Sequence, residues 1–467
     1  MRNSRNRIEN QAGYKVISRY FSHFIRHEKK YIIAIMILLF SVQMLSNLTA
    51  DKPLFIGSES YYYLSLSEQG IHYNSLVNLI SLIPPSLVFL IPLFIAIFSV
   101  LILFDLSKNL LDKETTFFFI LFLILTPGFI LSFVTLSSYA SFLLLTLLGF
   151  FLISKQNKKL RYLSLLPFIL AAFFDLFSAL LLLVMQSIYL FNGRDKKDRL
   201  PFYAAITTAV LLIFNQLITK IPLLLGPFHR QEIFTSLFSD LGGLSGLGLF
   251  LIILSFVGFT DILKKGRFKL LYLLPLLIPA YFFNTDIIFF LAVITSLLAA
   301  FGFLKLFEKK WNLLSLKKFT IILLILGILF STLAYMDRLP ESQPLKEDKE
   351  VLSWIEENTP ENSVVLSVPE NTYLIKYFAK RSPVFIFDKG KNKEKAELSK
   401  NVFSSLYIQD LFPLLEANDV KFIYINRDMK KELPKDQGFI FLLKNERFKL
   451  IHSSGDSEVW VFENEKK

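Results

Sequence analysis

A single acid, Glu59, precedes a run of three tyrosines, Tyr61, Tyr62 and Tyr63, and follows the first long apolar stretch of the chain. A carboxylate close to a low-dielectric boundary can have raised basicity. Glu59 could therefore accept a proton from a hydroxyl or amide, or bind a divalent metal. The tyrosines would then contact the acceptor or the membrane interface. The alternative is an interfacial belt of tyrosines beside a solvated acid. The pattern leaves both interpretations open.

A second set of polar side chains lies in the segment 220–243. Three of its residues are cations that would suit an anionic ligand: Lys220, His229 and Arg230. Arginine offers a planar fork to phosphate oxygens and lysine a compact charge, so a lipid phosphate or pyrophosphate is the expected ligand. Glu232 and Asp240 could support this site or hold Mg²⁺ or Mn²⁺, and no other cofactor is predicted. Alternatively, these two acids only neutralise the cations.

Membrane-spanning helices must position these residues. The chain has 467 residues, of which 53% are hydrophobic and 50 are phenylalanine, a composition typical of proteins embedded in the bilayer. Its net charge of +12 does not indicate a nucleic-acid partner, because Lys and Arg cluster at the ends of the apolar stretches, where they orient the helices. A spanning helix needs roughly 20 apolar residues, and the apolar stretches predict about eleven spans.

These spans fall into single helices and pairs whose flanks are basic. They are predicted at 31–48, at 85–104, as pairs within 113–155, 162–192, 200–263 and 268–304, and at 319–335. Both ends of each pair are expected in the cytoplasm because both are basic. The turns within three of the pairs are predicted at 126–128, 173–175 and 284–286. Asp175 and Asp286 lie in two of these turns, either as caps and turn residues or as members of the site.

The fold predicted from these patterns is a polytopic α-helical membrane protein with a C-terminal extracytoplasmic α/β domain. Its parts are a basic cytoplasmic segment (1–30), a membrane domain (31–336) with outer loops 49–83 and 220–243, a linker (337–348) and the α/β domain (349–467). Helices in that last domain are predicted at 350–358, 372–380 and 404–417, and strands at 364–368, 384–387, 420–425, 448–452 and 459–462.

Several features exclude other classes of protein or need no functional explanation. The chain contains no cysteine, which excludes disulfides and thiolate metal sites. No predicted span carries a series of ionisable residues, which argues against an ion-coupled transporter or a proton pump. Asp105 and Asp261 lie at predicted cytoplasmic helix ends. Asp388 is interpreted as a turn residue after a strand, with a functional role as the alternative.

Together, the first-loop acid with its aromatic neighbours, the many spans and the α/β domain resemble the polytopic glycosyltransferases of the C fold. These include the protein O-mannosyltransferases of family 39, the aminoarabinose transferases and the oligosaccharyltransferase catalytic subunits. The segment Leu-Ser-Trp-Ile-Glu-Glu-Asn-Thr-Pro-Glu at 352–361, followed by 364–367, 377–379 and 384–388, is similar to the stretch after the last span of the archaeal members.

This resemblance implies a multi-pass enzyme of the cell membrane that takes a sugar from a polyprenyl phosphate or pyrophosphate at the outer leaflet. The acceptor would be a protein, a lipid or a glycan. Glu59 would be the first-loop acid, acting as general base or metal ligand, and the segment 220–243 would face the lipid phosphate.

The departures from the family pattern narrow this expectation. Glu59 lacks an acidic neighbour, since Gly57, Ser58 and Ser60 flank it. The segment 133–139 carries no carboxylate where oligosaccharyltransferases have a second acidic motif, and their Trp-Trp-Asp motif is missing. These differences argue against asparagine glycosylation and against a tightly held metal. They favour a metal-independent mechanism with one base, similar to that of the family 39 enzymes. The alternatives are a lipid-binding or lipid-moving protein without chemistry and a degenerate transferase that acts as an assembly partner.

Overall fold

The structure of the protein is a computed structural model. The described residues are 27–49, 55–68, 80–172, 176–192, 200–219, 237–243, 246–264, 273–282, 287–339, 344–385 and 393–463. The chain divides into two compact units. The membrane unit consists of residues 1–44 and 90–339, and the C-terminal unit consists of residues 45–89 and 340–467.

Helices form the membrane unit. In chain order they are Glu28–Thr49, Ile91–Ser107, Lys113–Ile124, Pro127–Val134, Ser138–Ile153, Lys158–Leu163, Leu165–Ala172, Leu176–Asn192, Leu200–Thr219, Leu249–Lys264, Leu274–Tyr281, Ile288–Glu308 and Leu314–Arg338. A 3-10 turn, Pro85–Leu90, leads into the second helix. Three helices among the described residues, Leu87–Ser107, Ile288–Glu308 and Leu314–Arg338, are long and apolar enough to cross a membrane. The chain is thus a mostly helical membrane protein, and the count of about eleven spans stays a prediction.

The last of these helices shows how the sequence separates a lipid-facing side from a packed side. Large apolar side chains recur on one face with helical spacing and are exposed: Phe319, Ile322, Leu326, Phe330 and Leu333. The opposite face is buried: Leu324, Gly327, Ile328, Ser331, Thr332 and Tyr335. Such an apolar exposed face would be unfavourable in water but matches the acyl chains of a bilayer.

Two glycines allow the helices Leu249–Lys264 and Ile288–Glu308 to pack backbone against backbone. A Cβ added at Gly258 would overlap the carbonyl oxygen of Leu298, and one added at Gly302 would overlap that of Leu254. Close approach at small residues is a common way to pack helices in membranes, where dispersion and short contacts replace the hydrophobic effect.

The predicted turn at 126–128 is a helix break that is stabilised from other helices. Pro127 cannot continue the preceding helix, so the carbonyl of Leu125 is left for another donor. The hydroxyl of Thr332 donates to it at 2.7 Å. Thr126 Oγ1 also lies 3.1 Å from Ser296 Oγ. The chain then continues as the helix Pro127–Val134 before a second break at 135–137, which the sequence did not indicate.

Ion pairs join helix ends at the basic flanks. Lys29 Nζ lies 2.7 Å from Asp105 Oδ1, and Lys108 pairs with the buried Glu28. Both lysines also lie over the ring of Phe104, at 5.6 and 4.2 Å from its centroid. Lys305 and Asp261 form a similar pair at 3.3 Å. Asp105 and Asp261 therefore have structural partners.

A five-stranded sheet forms the centre of the C-terminal unit, with the strand order β2-β1-β3-β5-β4. The strands are β1 Val364–Leu366, β2 Ser382–Pro383, β3 Val420–Ile425, β4 Phe448–Ser454 and β5 Ser457–Phe462. β1 pairs in parallel with β2 and β3, whereas β5 pairs antiparallel with β3 and β4. The α/β character and the terminal antiparallel pair agree with the sequence-based expectation.

Helices pack on both faces of this sheet. Successive side chains of β3 point to opposite faces, so each face has side chains that contact a helix. Ile423 and Ile425 belong to an apolar core with Leu411 and Leu415, while Tyr424 bonds to a helix on the other face. The helices of the unit are Ser58–Glu68, Lys346–Asn358, Thr372–Leu374, Lys393–Phe403, Ile408–Ala417, Arg427–Glu432 and Phe439–Leu442. A π-helix, Ile375–Ala379, continues Thr372–Leu374.

The second strand differs from the prediction of 384–387. β2 is Ser382–Pro383, and Val384 and Phe385 instead enter the apolar core. Burial and not strand pairing therefore explains Val384 and Phe385, although the Val384 amide still donates to the carbonyl of Val365 at 3.0 Å. Residues 386 and 387 of the predicted strand lie outside the described residues. The predicted helix at 404–417 begins only at Ile408, because Tyr407 has an extended backbone.

Candidate functional site

Glu59 lies in the first turn of the helix Ser58–Glu68, hereafter the first-loop helix. Gly57, with a φ of 79°, allows the chain to enter this helix from a left-handed conformation. The Ser60 hydroxyl donates to the carbonyl of Ile56 at 3.0 Å and fixes the entry. The positive end of the helix dipole favours an ionised acid at this place. Glu59 is half-buried, and the hydroxyl of Tyr63 lies at a long hydrogen-bond distance of 3.4 Å from its Oε1.

The tyrosines that follow Glu59 pack the first-loop helix against residues 372–379. Tyr61 is only 2% exposed, and its ring centroid lies 5.3 Å from that of Tyr377 and 5.0 Å from that of Phe378. The rings of Tyr62 and Tyr373 are 4.6 Å apart. Tilted aromatic pairs at these distances stabilise a contact beyond the area they bury. The tyrosines thus position the helix that carries Glu59, and Tyr61 is not part of an exposed belt.

Tyr61 also anchors the segment before the helix. Its hydroxyl donates to the carbonyl of Phe55 at 2.9 Å. Burial raises the pKa of the Tyr61 phenol well above its ordinary value, so the hydroxyl remains a donor at neutral pH.

A group of ionisable residues that the sequence did not indicate surrounds Glu68, the last residue of the first-loop helix. Its other members are Lys380 and Glu356. Lys380 Nζ is 2.6 Å from Glu356 Oε1, and Lys380 has a left-handed backbone with a φ of 49°. Glu68 is an exposed residue whose partial desolvation raises the pKa of its carboxyl, an effect that the charge of Lys380 partly offsets. Burial also raises the pKa of Tyr377, and the charge of Glu68 adds to it. Glu68 and Lys380 are far apart in the sequence, so no local pattern could have paired them.

Arg381 fixes the neighbouring helix end. This arginine is buried, and its Nη2 donates to the carbonyls of Glu356 and Thr359, both at 2.6 Å. Its Nε donates to the Thr359 hydroxyl at 3.0 Å. A guanidinium at the C-terminus of the helix Lys346–Asn358 satisfies carbonyls that have no partner within the helix. These bonds hold Arg381, and with it the end of the π-helix and Lys380, against the C-terminus of the helix Lys346–Asn358.

Asp240 has a different environment in the membrane unit. Its Oδ1 accepts from the Ser331 hydroxyl and its Oδ2 from the Leu249 amide, both at 2.6 Å. The second bond caps the start of the helix Leu249–Lys264. Next to it, Arg338 Nη2 donates to the carbonyl of Ser239 at 2.5 Å. Arg338 is therefore a cation next to residues 239–240. The sequence did not indicate it, because it follows the last predicted span, 319–335.

The other predicted site residues lie outside the described residues. These are Lys220, His229, Arg230 and Glu232, together with Asp175, Asp286 and Asp388. Within the described part of the chain, no three His, Asp or Glu side chains lie close enough together to hold a metal ion. The proposed roles of the cations and of a metal at Glu232 and Asp240 remain predictions.

No protein-family model and no curated protein sequence matches the chain. Solved structures do. The Archaeoglobus fulgidus oligosaccharyltransferase in its apo form has a TM-score of 0.57 at 14% identity, covering 86% of this chain and 70% of that one. The fold is that of an archaeal oligosaccharyltransferase.

Two further structures of oligosaccharyltransferases from the same organism give similar values. One is tethered to an acceptor peptide with an NVT sequon, with a TM-score of 0.55, 14% identity and coverage of 88% of this chain and 70% of that one. The other is AglB in complex with an inhibitory peptide and a dolichol-phosphate, with a TM-score of 0.54, 14% identity and coverage of 87% and 70%. The resemblance to the C-fold glycosyltransferases is thereby confirmed at the level of the fold.

Proposed function

We propose that the protein is a membrane glycosyltransferase that moves a sugar from a polyprenyl-phosphate-linked donor to a protein, lipid or glycan acceptor at the outer face of the membrane. The observation that carries this proposal is the half-buried Glu59 at the N-terminus of a helix held by aromatic packing. The oligosaccharyltransferase-like fold supports it, since structures with this fold bind an acceptor peptide and a dolichol-phosphate.

In this proposal Glu59 acts as the general base. An acceptor hydroxyl or amide attacks the anomeric carbon of the sugar, and its proton passes to the Glu59 carboxylate. The bond between that carbon and the phosphate oxygen breaks, and the phosphate keeps the electron pair. The attack comes from the face opposite the phosphate, so the anomeric configuration is inverted. A base positioned for such a transfer contributes about 10² to 10⁴ in rate.

Stabilising the departing phosphate is the role proposed for Lys220, His229 and Arg230. Negative charge develops on the leaving oxygen, and preorganised cations lower the barrier by offsetting it. This assignment rests on the sequence alone. A metal-independent mechanism is preferred because Glu59 has no acid beside it, since Gly57, Ser58 and Ser60 flank it in the sequence.

The test replaces Glu59 with glutamine in the full-length protein reconstituted in nanodiscs, with a polyprenyl-phosphate-linked sugar and a panel of peptide, lipid and glycan acceptors. Glu59→Gln keeps the size of the side chain but cannot take up the proton, so transfer should fall by at least about 100-fold. Glu68→Gln, at the other end of the same helix, is the matched control and should retain transfer. Wild-type rates in Glu59→Gln would refute the assignment.

Glu59→Gln, together with a further variant, Arg230→Ala, separates the enzyme from the two alternatives. These are a lipid-binding or lipid-moving protein and a degenerate assembly partner. The missing acidic motifs of the family are the reason for considering a degenerate transferase. Arg230→Ala should weaken binding of polyprenyl phosphate both in the enzyme and in a lipid-binding or lipid-moving protein. Only the enzyme also loses a reaction when Glu59 is changed. A wild-type protein that binds polyprenyl phosphate but transfers no sugar to any acceptor in the panel would favour the alternatives.

A further inference from the structure

A surface groove of about 500 Å³ in the C-terminal unit lies between the helix Lys346–Asn358 and β4. The helix contributes one face, with side chains at spacings of three and one: Lys346, Lys349, Glu350, Ser353, Trp354 and Glu357. β4, the last strand in the order of the sheet, contributes His452, Ser453 and Ser454. The volume lies in the range of sites for small ligands. None of these residues is part of the machinery proposed for sugar transfer.

The two aromatic rings of the groove are stacked. The centroids of Trp354 and His452 are 4.8 Å apart, and the ring planes are within 4° of parallel. Both side chains are half-buried. His452 covers one face of the Trp354 indole, and the part of the ring that stays exposed is a rigid apolar element among polar lining residues.

The charges of the groove balance, since Lys346 and Lys349 are matched by Glu350 and Glu357. Among the described residues that line it, none is aliphatic. A balanced set of charges does not select an anion or a cation. A lining without aliphatic side chains does not offer the apolar pockets that extended peptides use on a sheet edge.

The walls of the groove are joined to each other, so its shape is preformed. The Ser454 hydroxyl donates to Glu350 Oε2 at 2.6 Å, and the Asp456 amide donates to Glu347 Oε2 at 2.9 Å. Asp348, on the buried side of the helix, accepts from Tyr424 on β3 and from Ser457 on β5, both at 2.7 Å. A preformed site loses little conformational entropy when a ligand binds.

We propose that this groove binds a neutral oligosaccharide. The C–H groups on one face of a pyranose carry partial positive charge and pack on the electron-rich face of an indole. The sugar hydroxyls can donate to the glutamates and serines and accept from the lysines and serines. A ligand with an apolar face and a rim of uncharged hydroxyls fits this combination of side chains. The site is a binding site and performs no reaction.

The experiment measures binding to the full-length protein in nanodiscs, without maltoside or glucoside detergents because these carry the proposed ligand class. The probes are an array of neutral oligosaccharides, including chitotetraose, mannotetraose and maltotetraose, and an uncharged extended hexapeptide. At least one neutral oligosaccharide should bind. Trp354→Ala should weaken its binding by at least about tenfold, or about 1.4 kcal/mol.

Three further variants make the result decisive. Ser353→Gln fills the groove from a helix-compatible position without removing a core contact, and it should weaken binding as Trp354→Ala does. Tyr407→Ala removes an exposed aromatic ring of the same unit outside the groove and should bind like the wild type. Glu59→Gln should also bind normally, which separates this site from the proposed transfer site.

Several outcomes would overturn the inference. They are the absence of binding by any neutral oligosaccharide, equal binding by the wild type, Trp354→Ala and Ser353→Gln, or binding of the peptide in place of the sugars. Binding that is lost in Glu59→Gln and kept in Trp354→Ala would locate the sugar at the transfer site and would equally refute the groove. Each of these results leaves the transfer assay of Glu59→Gln to be judged separately.

Discussion

Glu59 and Asp240 are both acids that the sequence assigns to a functional site, but the structure surrounds them differently. Asp240 uses both carboxylate oxygens at 2.6 Å, one on the start of a helix and one on Ser331 of another helix. Glu59 has a neighbouring tyrosine hydroxyl at 3.4 Å. Short bonds to the protein's own donors fix a helix end. Glu59 lies at a helix N-terminus, where an ionised acid is favoured, and its contact with Tyr63 is longer than either of these bonds of Asp240. Residue type alone did not distinguish these two uses.

The largest effect expected from this comparison is on transfer rate. Glu59→Gln should lower it by at least about 100-fold while leaving the melting temperature close to that of the wild type. Measuring both quantities on one preparation separates loss of chemistry from loss of fold. A clear drop in melting temperature together with the loss of transfer would mean that Glu59, like Asp240, mainly supports the structure.

A third acid, Asp348, resembles Asp240 in that its carboxylate accepts hydrogen bonds from the protein's own donors. It is fully buried and accepts from Tyr424, Ser457 and the amide of Leu345, joining a helix to two strands. Asp348→Ala leaves these donors buried without an acceptor and should destabilise the C-terminal unit by about 3 to 5 kcal/mol. Thermal unfolding followed by the fluorescence of Trp354 and Trp460 measures it.

The control for this variant is Glu361→Ala, which removes an exposed acid of the same unit and should change stability by less than about 0.5 kcal/mol. Asp348→Asn keeps one acceptor and should lie between the two. Equal stability of Asp348→Ala and Glu361→Ala would contradict the role of Asp348 as the link between helix and sheet.

Asp240→Asn should have a smaller effect on stability. The amide cannot accept on both of its polar atoms, so either the cap of Leu249 or the bond to Ser331 is lost, at a cost of about 1 to 2 kcal/mol. Transfer per folded molecule should fall far less than in Glu59→Gln. Loss of transfer at normal stability, restored by added Mn²⁺, would instead support the metal role predicted for Asp240. Asp436→Asn, at an exposed position, serves as the control.

Glu68→Gln should give the smallest change, and its sign depends on pH. The folded pKa of Glu68 is raised above its ordinary value of 4.5, so the folded state keeps a proton that the unfolded chain has released. The stability contributed by this group is therefore present below pH 4.5 and is lost as pH rises through the folded pKa. At about pH 7 the variant should be more stable than the wild type by less than about 0.5 kcal/mol, with no difference in acid. A difference that grows as pH falls would contradict this.

Patterns within short segments predicted much of the fold. The alternation in 420–425 gave β3, and the two final apolar runs gave the antiparallel pair of β4 and β5. Apolar length predicted the long helix Leu314–Arg338. The position of β2 was wrong because Val384 and Phe385 enter the core without forming the strand, and an apolar run does not distinguish these outcomes.

The site was less predictable because its contacts join distant parts of the chain. Glu59 was predicted as a site residue from its place after the first apolar stretch, and its role stays a prediction. The packing of Tyr61 on Tyr377, the pairing of Lys380 with Glu356 and the neighbouring Glu68 depend on the tertiary fold. The structural role of Asp348 was not predicted either, because the residues around it were interpreted as a polar linker. Composition and periodicity describe faces of helices and strands, and they do not say which faces meet.

The packing of the first-loop helix has a consequence for biosynthesis. Tyr61 leaves the ribosome long before Tyr377 and Phe378, which follow about 15 to 60 s later at elongation rates of about 5 to 20 residues per second. During that interval the aromatic side of the helix has none of these partners, and Glu59 is not yet held in its final position. Nascent chains that stop before residue 372 would therefore be expected to expose this aromatic surface to the quality-control machinery of the membrane.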